Sequence, residues 1–267
     1  MEYITIERGP AAFQQPVALH LIVAMCERAF GTGVQLQSVR ELSGGTFNTT
    51  YRVGMAGQED AILRVAPTST ARLFWHQPYL MRREQAIQPF LAPIARLVPR
   101  TLMADFTHEL VDRDYVFQTY IPGEQWTAID GELTPAEDEA LWRQVARIAK
   151  TIHAVRGDVF GFPHPGRQFP TWSMAVIDML ERIVADTENW RFDATNMRTV
   201  LEIARAHRPV LDEIAEPHLL HGDLWGTNIL VKRGQGADPV IVGVIDADDA
   251  PVGTRLFSRA LSLHGIG

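Results

Sequence analysis

Asp223 and Asn228 stand in the run His221-Gly222-Asp223-Leu224-Trp225-Gly226-Thr227-Asn228, and Asp246 follows the apolar run Val240 to Ile245. Two carboxylates and one amide are thus gathered around a short stretch of chain. Magnesium takes oxygen ligands, so such a set can hold a hard divalent cation. A carboxylate within hydrogen-bond reach can also orient a hydroxyl and accept its proton. Both are needs of phosphoryl transfer, in which cations bridge the phosphates and neutralise charge that develops on the equatorial oxygens. Asp223 and Asn228 alone would also suit a turn whose side chains cap their own backbone. Asp246, behind a strand, favours the chemical reading.

A second segment carries phosphate chemistry. Ser43-Gly44-Gly45-Thr46-Phe47-Asn48 lies between two strand-like runs, and glycines there let backbone N–H groups approach phosphate oxygens. It is neither a Walker A loop nor a dinucleotide fingerprint, since no G-x-x-x-x-G-K-[ST] occurs and Gly31-Thr32-Gly33 lacks the third glycine. A metal-dependent hydrolase would use the same carboxylates but leaves this loop unexplained.

Together these segments resemble the aminoglycoside phosphotransferase family of small-molecule kinases, related to choline kinases. The run histidine-glycine-aspartate with asparagine five residues after the aspartate resembles the family's catalytic loop, and glycine in second place is the form of its aminoglycoside and choline kinase side. The resemblance implies a protein-kinase-like two-lobed α+β fold. Residues 1–121 would form an antiparallel nucleotide-binding lobe, and residues 122–267 a mainly helical lobe carrying the catalytic loop. It also implies that Asp223 is the catalytic base, that Asn228 and Asp246 hold Mg2+, and that ATP or GTP is co-substrate. His221 would support the loop. Gly44, Gly45, Thr46 and Asn48 would cover the nucleotide. Arg64 stands where the fold places its phosphate-binding lysine, with the charge kept and the geometry changed. Glu84 would be its ion-pair partner. Phe117 to Ile121 resembles the hinge, with Gln118, Tyr120 and Ile121 beside the base, which backbone groups would hold. The resemblance extends through Asp246-Ala247-Asp248-Asp249-Ala250 and Gly253, then departs: Thr254-Arg255 stand where an acidic residue and proline usually follow. The wall of the substrate pocket would then come from residues 165–215 or from a second copy in a homodimer, or be missing. A catalytically weak nucleotide-binding or scaffold protein is the alternative.

The elements that must position these residues follow from periodicity. Residues 13–30 read as a helix. Val34 to Val39, Tyr51 to Val53 and Ala61 to Val65 read as antiparallel strands parted by Gly44-Gly45 and by Gly54 to Gly57. Residues 79–92 read as a helix that Pro89 kinks or ends. Two more strands are expected at 101–104 and 115–121, and Pro122-Gly123 breaks the second. Leu141, Val145, Ile148, Ala149 and Ile152 repeat at helical spacing, and Thr134-Pro135-Ala136-Glu137 supplies a capping-box start. Helices are expected at 172–187 and 196–215, then short strands at 228–232 and 240–245. His153 and Trp172, Met174 and Met179 read as packing groups.

Composition limits the partners. The net charge of −7 argues against nucleic acid or an anionic membrane as the main partner. Asp178, Glu181, Asp186 and Glu188 suit either a polyamine acceptor or a solvated helix face. Cys26 is the single cysteine, which excludes an intrachain disulfide and fits a reducing cytoplasm. The early apolar run Val17 to Cys26 is too short to span a membrane. Glu2 and Glu7 precede it where a signal peptide has positive charge.

Overall fold

The computed structural model describes residues 1–10, 12–68, 71–163, 165–234, 237–247 and 252–253. The chain divides into two units, Met1–Arg72 with Val98–Pro122, and Leu73–Leu97 with Gly123–Gly267. The expected division into 1–121 and 122–267 differs from these units in residues 73–97, which group with the second, and in Pro122, which groups with the first. No described helix is long and apolar enough to cross a membrane.

The first unit is built on strand alternation. β1 (Glu2–Ile4), β2 (Leu36–Glu41), β3 (Thr49–Met55), β4 (Ala61–Val65), β5 (Thr101–Asp105) and β6 (Tyr115–Thr119) form one sheet in the order β1-β2-β3-β4-β6-β5. β1 runs parallel to β2, with Tyr3 beside Val39, and the other pairings are antiparallel. Tyr51 and Val53 of β3 are buried with Val39, Leu63, Val65, Tyr115 and Phe117, while Arg52 between them is exposed. Helix α1 (Leu19–Phe30) lays Ile22, Met25 and Cys26 on this core, the spacing of one helical face. Burial pushes the Cys26 thiol up to about 12, so it packs as a protonated apolar group.

Two features depart from expectation here. The helix begins at Leu19 rather than at residue 13. Residues 13–17 are drawn out by bonds to the sheet: Thr49 Oγ1 donates to Gln15 O at 3.0 Å, and Val17 N donates to the Tyr51 hydroxyl at 2.9 Å. Pro16 also biases Gln15 away from helical backbone. β1 was not expected, because it is a three-residue edge strand formed by pairing with a partner more than thirty residues away.

In the second unit α2 (Leu80–Ile87) passes into a 3-10 turn, Gln88–Ile94, holding Pro93 and with Pro89 at its start. Further along come β7 (Glu124–Gln125), α3 (Trp126–Ile129) and α4 (Pro135–Ile152). β8 (Phe160–Gly161), β9 (Gln168–Phe169), α5 (Trp172–Asn189), α6 (Thr195–Ala206) and α7 (Arg208–Leu211) follow. β10 (His218–Leu219), β11 (Ile229–Gly234), β12 (Ala237–Val244) and β13 (Val252–Gly253) complete it. The single helix expected over 196–215 is broken at His207. Pro209 has no N–H to continue the ladder and instead sits in the first turn of α7.

Two small sheets, β12-β11-β7 and β10-β13-β8-β9, carry the loops of interest. α4 starts at the expected capping box, in which Thr134 caps the Glu137 N–H and the Thr134 N–H donates to Glu137 Oε2 at 2.8 Å. It then secures β12. Gln144 Nε2 donates to Pro239 O at 2.9 Å, and Ile241 N donates to Gln144 Oε1 at 3.0 Å. Val244 N donates to Leu97 O at 2.6 Å. An edge strand with unpaired backbone groups is thereby covered.

Candidate active site

The chain leaves β10 through buried Leu220 and His221 and turns at Gly222, whose φ of 85° lies in the left-handed region. Any residue with a Cβ would be strained there, which accounts for glycine between His221 and Asp223. Exposed Asp223 then sits five residues before buried Asn228. Asn228 Nδ2 donates to Asp223 O at 2.9 Å and to Asp223 Oδ2 at 2.7 Å, while Asn228 N donates to Trp225 O at 2.9 Å. The amide therefore closes the loop and fixes one carboxylate oxygen of Asp223.

Asp246 is brought to the same place through the backbone. Ile229 pairs with Val244, and Ile245 N donates to Asn228 O at 2.9 Å. At the other end β13 pairs with β10, His218 beside Gly253. The loop 220–228 and the segment after β12 are thus tied together at both ends. Asp246 has a φ of 65°, an uncommon conformation that costs a residue with a side chain about 1–2 kcal/mol. Such outliers cluster at active sites and ligand clamps. Asp248, Asp249 and Ala250 of the expected pattern lie outside the described residues.

His221 is fully buried, and burial lowers its ring to about 4; the Asp246 carboxylate and the Ile245 backbone pull the other way and lose. The imidazole is neutral at neutral pH and acts as a packing group under the loop. Gln125, which sequence reasoning passed over, donates from Nε2 to Thr227 O at 2.9 Å and braces the loop from β7. A lone glutamine in a two-residue strand carries no signal that would have singled it out.

Among the described residues no group of three or more His, Cys, Asp or Glu side chains could hold a metal ion. The donor set is instead one amide and one carboxylate. With its nitrogen engaged by Asp223, Asn228 offers Oδ1, and Asp246 offers carboxylate oxygens. Hard oxygen donors fit Mg2+, which usually binds one or two carboxylates and completes its shell with phosphates and water.

The remaining expected residues belong mostly to the first unit. Gly44, Gly45 and Thr46 form the exposed tip of the loop between β2 and β3, while Asn48 at its base is buried. Neither glycine has a positive φ, and a Cβ on Gly45 would meet Gln14 Nε2 at 3.7 Å, an ordinary contact. The loop's own folding does not require glycine at position 45. The Asn48 Oδ1 is buried without a hydrogen-bond partner. Arg64 is buried in β4, flanked by Thr50 and Val116. Gln118 lies within the ladder between Ile62 and Thr101, whereas Tyr120 and Ile121 lie past the end of β6. The Arg52 guanidinium stacks 4.1 Å over the Tyr120 ring. Glu84 is buried in α2, in the second unit.

The acidic residues of α5 are engaged by neighbours. Asp178 pairs with Arg167 at 2.9 Å and Arg182 at 3.0 Å, and Glu181 with Arg205 at 2.8 Å. Glu188 pairs with Arg198 at 2.5 Å, and Asp186 accepts the Trp75 N–H at 2.8 Å.

Solved structures share this architecture. The crystal structure of aminoglycoside phosphotransferase APH(4)-Ia matches with a TM-score of 0.63 at 20% identity, covering 91% of this chain and 76% of that one. A thermostable mutant of it, in ternary complex with ADP and hygromycin B, matches at 0.61 and 20% identity over 90% and 75% of the two chains. The GDP and kanamycin complex of APH(2")-IIia matches at 0.59 and 19% identity over 91% and 82%. At such identities the likeness speaks for the fold, which is kinase-like α+β. No curated protein matches the chain by sequence. The sequence model of the phosphotransferase enzyme family, by contrast, matches residues 38–262. That span runs from β2 through the glycine loop and Arg64 to Asp223, Asn228 and Asp246, and the chain belongs to the phosphotransferase enzyme family.

Proposed function

We propose that the protein transfers the γ-phosphoryl group of ATP or GTP to a hydroxyl of a small molecule, with Mg2+ as cofactor. The observation that carries this reading is the 2.7 Å hydrogen bond from Asn228 Nδ2 to Asp223 Oδ2, in a loop tied by backbone to Asp246. Asp223 is then oriented to accept the proton of the acceptor hydroxyl, as a general base. Asn228 Oδ1 and Asp246 would hold Mg2+, and the ion would supply neutralisation of phosphoryl charge there. The exposed loop Gly44 to Thr46 presents backbone N–H groups to the phosphates, and Arg64, a positive charge on β4, serves the same phosphates. The base is held by backbone groups beside Gln118, Tyr120 and Ile121, the last two being past the end of a strand.

The acceptor is a small alcohol, and aminoglycosides are one class to test, since APH(4)-Ia and APH(2")-IIia are the named neighbours. A polycationic acceptor drawn to α5 would have to displace Arg167, Arg182, Arg198 or Arg205 from their carboxylates. Steady-state phosphoryl transfer with Mg·ATP and Mg·GTP, across aminoglycosides, macrolides and small alcohols, tests the reading. Product on at least one acceptor is expected. Nucleotide binding without transfer to any acceptor would make the chain a kinase-fold binding protein, and absence of nucleotide binding would overturn the reading altogether.

A further inference from the structure

The segment preceding α1 is bonded to the glycine loop and to both of its flanks. On the β2 side, Ile6 N donates to Glu41 Oε2 at 3.0 Å and Arg8 forms an ion pair with the same buried carboxylate. On the β3 side, Gln15 O accepts from Thr49 Oγ1 at 3.0 Å, and Arg113 Nη1, from the segment before β6, donates to the same oxygen at 3.0 Å. Between these anchors the Phe13 ring packs on Phe47 of the loop, centroids 5.5 Å apart. Gln14, itself buried, points Nε2 at two loop carbonyls, Gly45 O at 2.6 Å and Asn48 O at 3.3 Å. The family model begins at residue 38, so this segment lies outside the family match.

The Gln14 contact has a geometric consequence. In a trans peptide the C=O and the following N–H lie in one plane and point in opposite directions. A Gly45 carbonyl directed at Gln14 therefore turns the Thr46 N–H to the other face of the loop, where a phosphate oxygen can accept it. Held this way, the loop has its donor oriented before a ligand arrives, and preorganisation of that kind raises affinity by lowering the ordering cost of binding.

We propose that Gln14 is a positioning residue of the nucleotide site, which sets the orientation of the Gly45–Thr46 peptide toward the triphosphate. This rests on the reading above, in which the loop covers the nucleotide phosphates.

The experiment is calorimetric titration of the full chain, wild type beside Gln14→Met and Gln14→Glu. Methionine keeps the length and removes both donors; glutamate keeps the shape and sets a carboxylate against two carbonyls. The probes are Mg·ATP with adenosine, and Mg·GTP with guanosine. Triphosphate affinity should fall about tenfold in Gln14→Met and further in Gln14→Glu, because a misplaced contact group forfeits binding set by orientation. Nucleoside affinity should stay as in wild type, since the nucleoside has no phosphate for the loop to hold. Melting of each variant without nucleotide checks that it is folded; should Gln14→Glu not fold, Gln14→Met carries the test with Gln14→Asn, whose shorter amide cannot reach both carbonyls. Unchanged triphosphate affinity overturns the proposal. Equal losses for triphosphate and nucleoside also overturn it, because they mark general loosening of the lobe. A wild type that binds neither triphosphate removes the nucleotide reading instead, and the role of Gln14 falls with it.

Discussion

In the proposed function Asp223 acts on the acceptor hydroxyl and not on the nucleotide, and this separates its role from that proposed for its neighbours. Asp223→Asn keeps an oxygen to accept the Asn228 Nδ2–H bond but removes the carboxylate charge. Nucleotide affinity should be retained while turnover falls by about 10²–10⁴, the usual contribution of a positioned base. The loss should appear in kcat rather than KM, as for an interaction made chiefly in the transition state; equal rates in the two proteins would show that Asp223 is a turn residue. His221 makes a different prediction. Its folded pKa of about 4 lies below the ordinary 6.5, so between those values the unfolded chain binds more protons. Stability then rises with pH across the window. His221 contributes its full share above pH 6.5, and that share is lost as pH falls toward 4, by roughly 3 kcal/mol in all. Urea unfolding at several pH values should show the slope in wild type, and His221→Asn should flatten it.

At the scale of elements, α4 and the β11–β12 hairpin hold the site's position. Gln144 spans the two by bonding both Pro239 O and Ile241 N, so the stability of α4 is passed to the strand that leads into Asp246. The helix start can be tested alone. Thr134→Ala removes the side-chain acceptor for the Glu137 N–H, a loss of about 1 kcal/mol. In a protein of this size that corresponds to about 2–4 °C in Tm, measurable by calorimetry. Catalysis at temperatures well below melting should not change, because Thr134 lies on an exposed helix end. A drop in kcat at 25 °C without a drop in Tm would contradict this division of labour.

For the whole molecule the deciding measurement is stabilisation by ligand. A ligand that binds the native state alone stabilises by mass action, about 2.7 kcal/mol at a hundredfold excess over Kd. Mg·ATP or Mg·GTP should therefore raise Tm, and the nucleotide without Mg2+ should raise it less. Asp246→Ala deletes a hard oxygen donor and should abolish most of the metal-dependent part. The same variant also relieves a left-handed side-chain residue (φ 65°) of its carboxylate but not of its Cβ, so no gain in basal stability is expected. Acid should lower the stability of the folded state over two successive pH windows, read by urea unfolding. The His221 window comes first, and below it comes Asp105, whose carboxyl lies well below the usual range. Burial alone would raise it, but hydrogen bonds from Thr107, Arg28 and Tyr115 prevail.

What could be read from sequence is what is encoded by spacing. The capping box at Thr134, the apolar face of α4, the prolines that end α2 and the alternation of β3 each depend on residues a few positions apart. The run His221 to Asn228 belongs with them, because five intervening bonds bring its aspartate and asparagine together by local geometry alone. Other features depended on contacts between distant residues. β1 exists through its pairing with β2, and residues 13–17 gave up a helix for bonds to Thr49 and Tyr51. β10 and β13 are two-residue strands that acquire a ladder by meeting each other across the site. Gln14 and Gln125 hold loops from afar and Gln144 holds strand β12, yet a glutamine is unremarkable in any hydrophobic pattern. Its amide gains meaning when folding sets a carbonyl opposite it, and a one-dimensional pattern does not contain that partner.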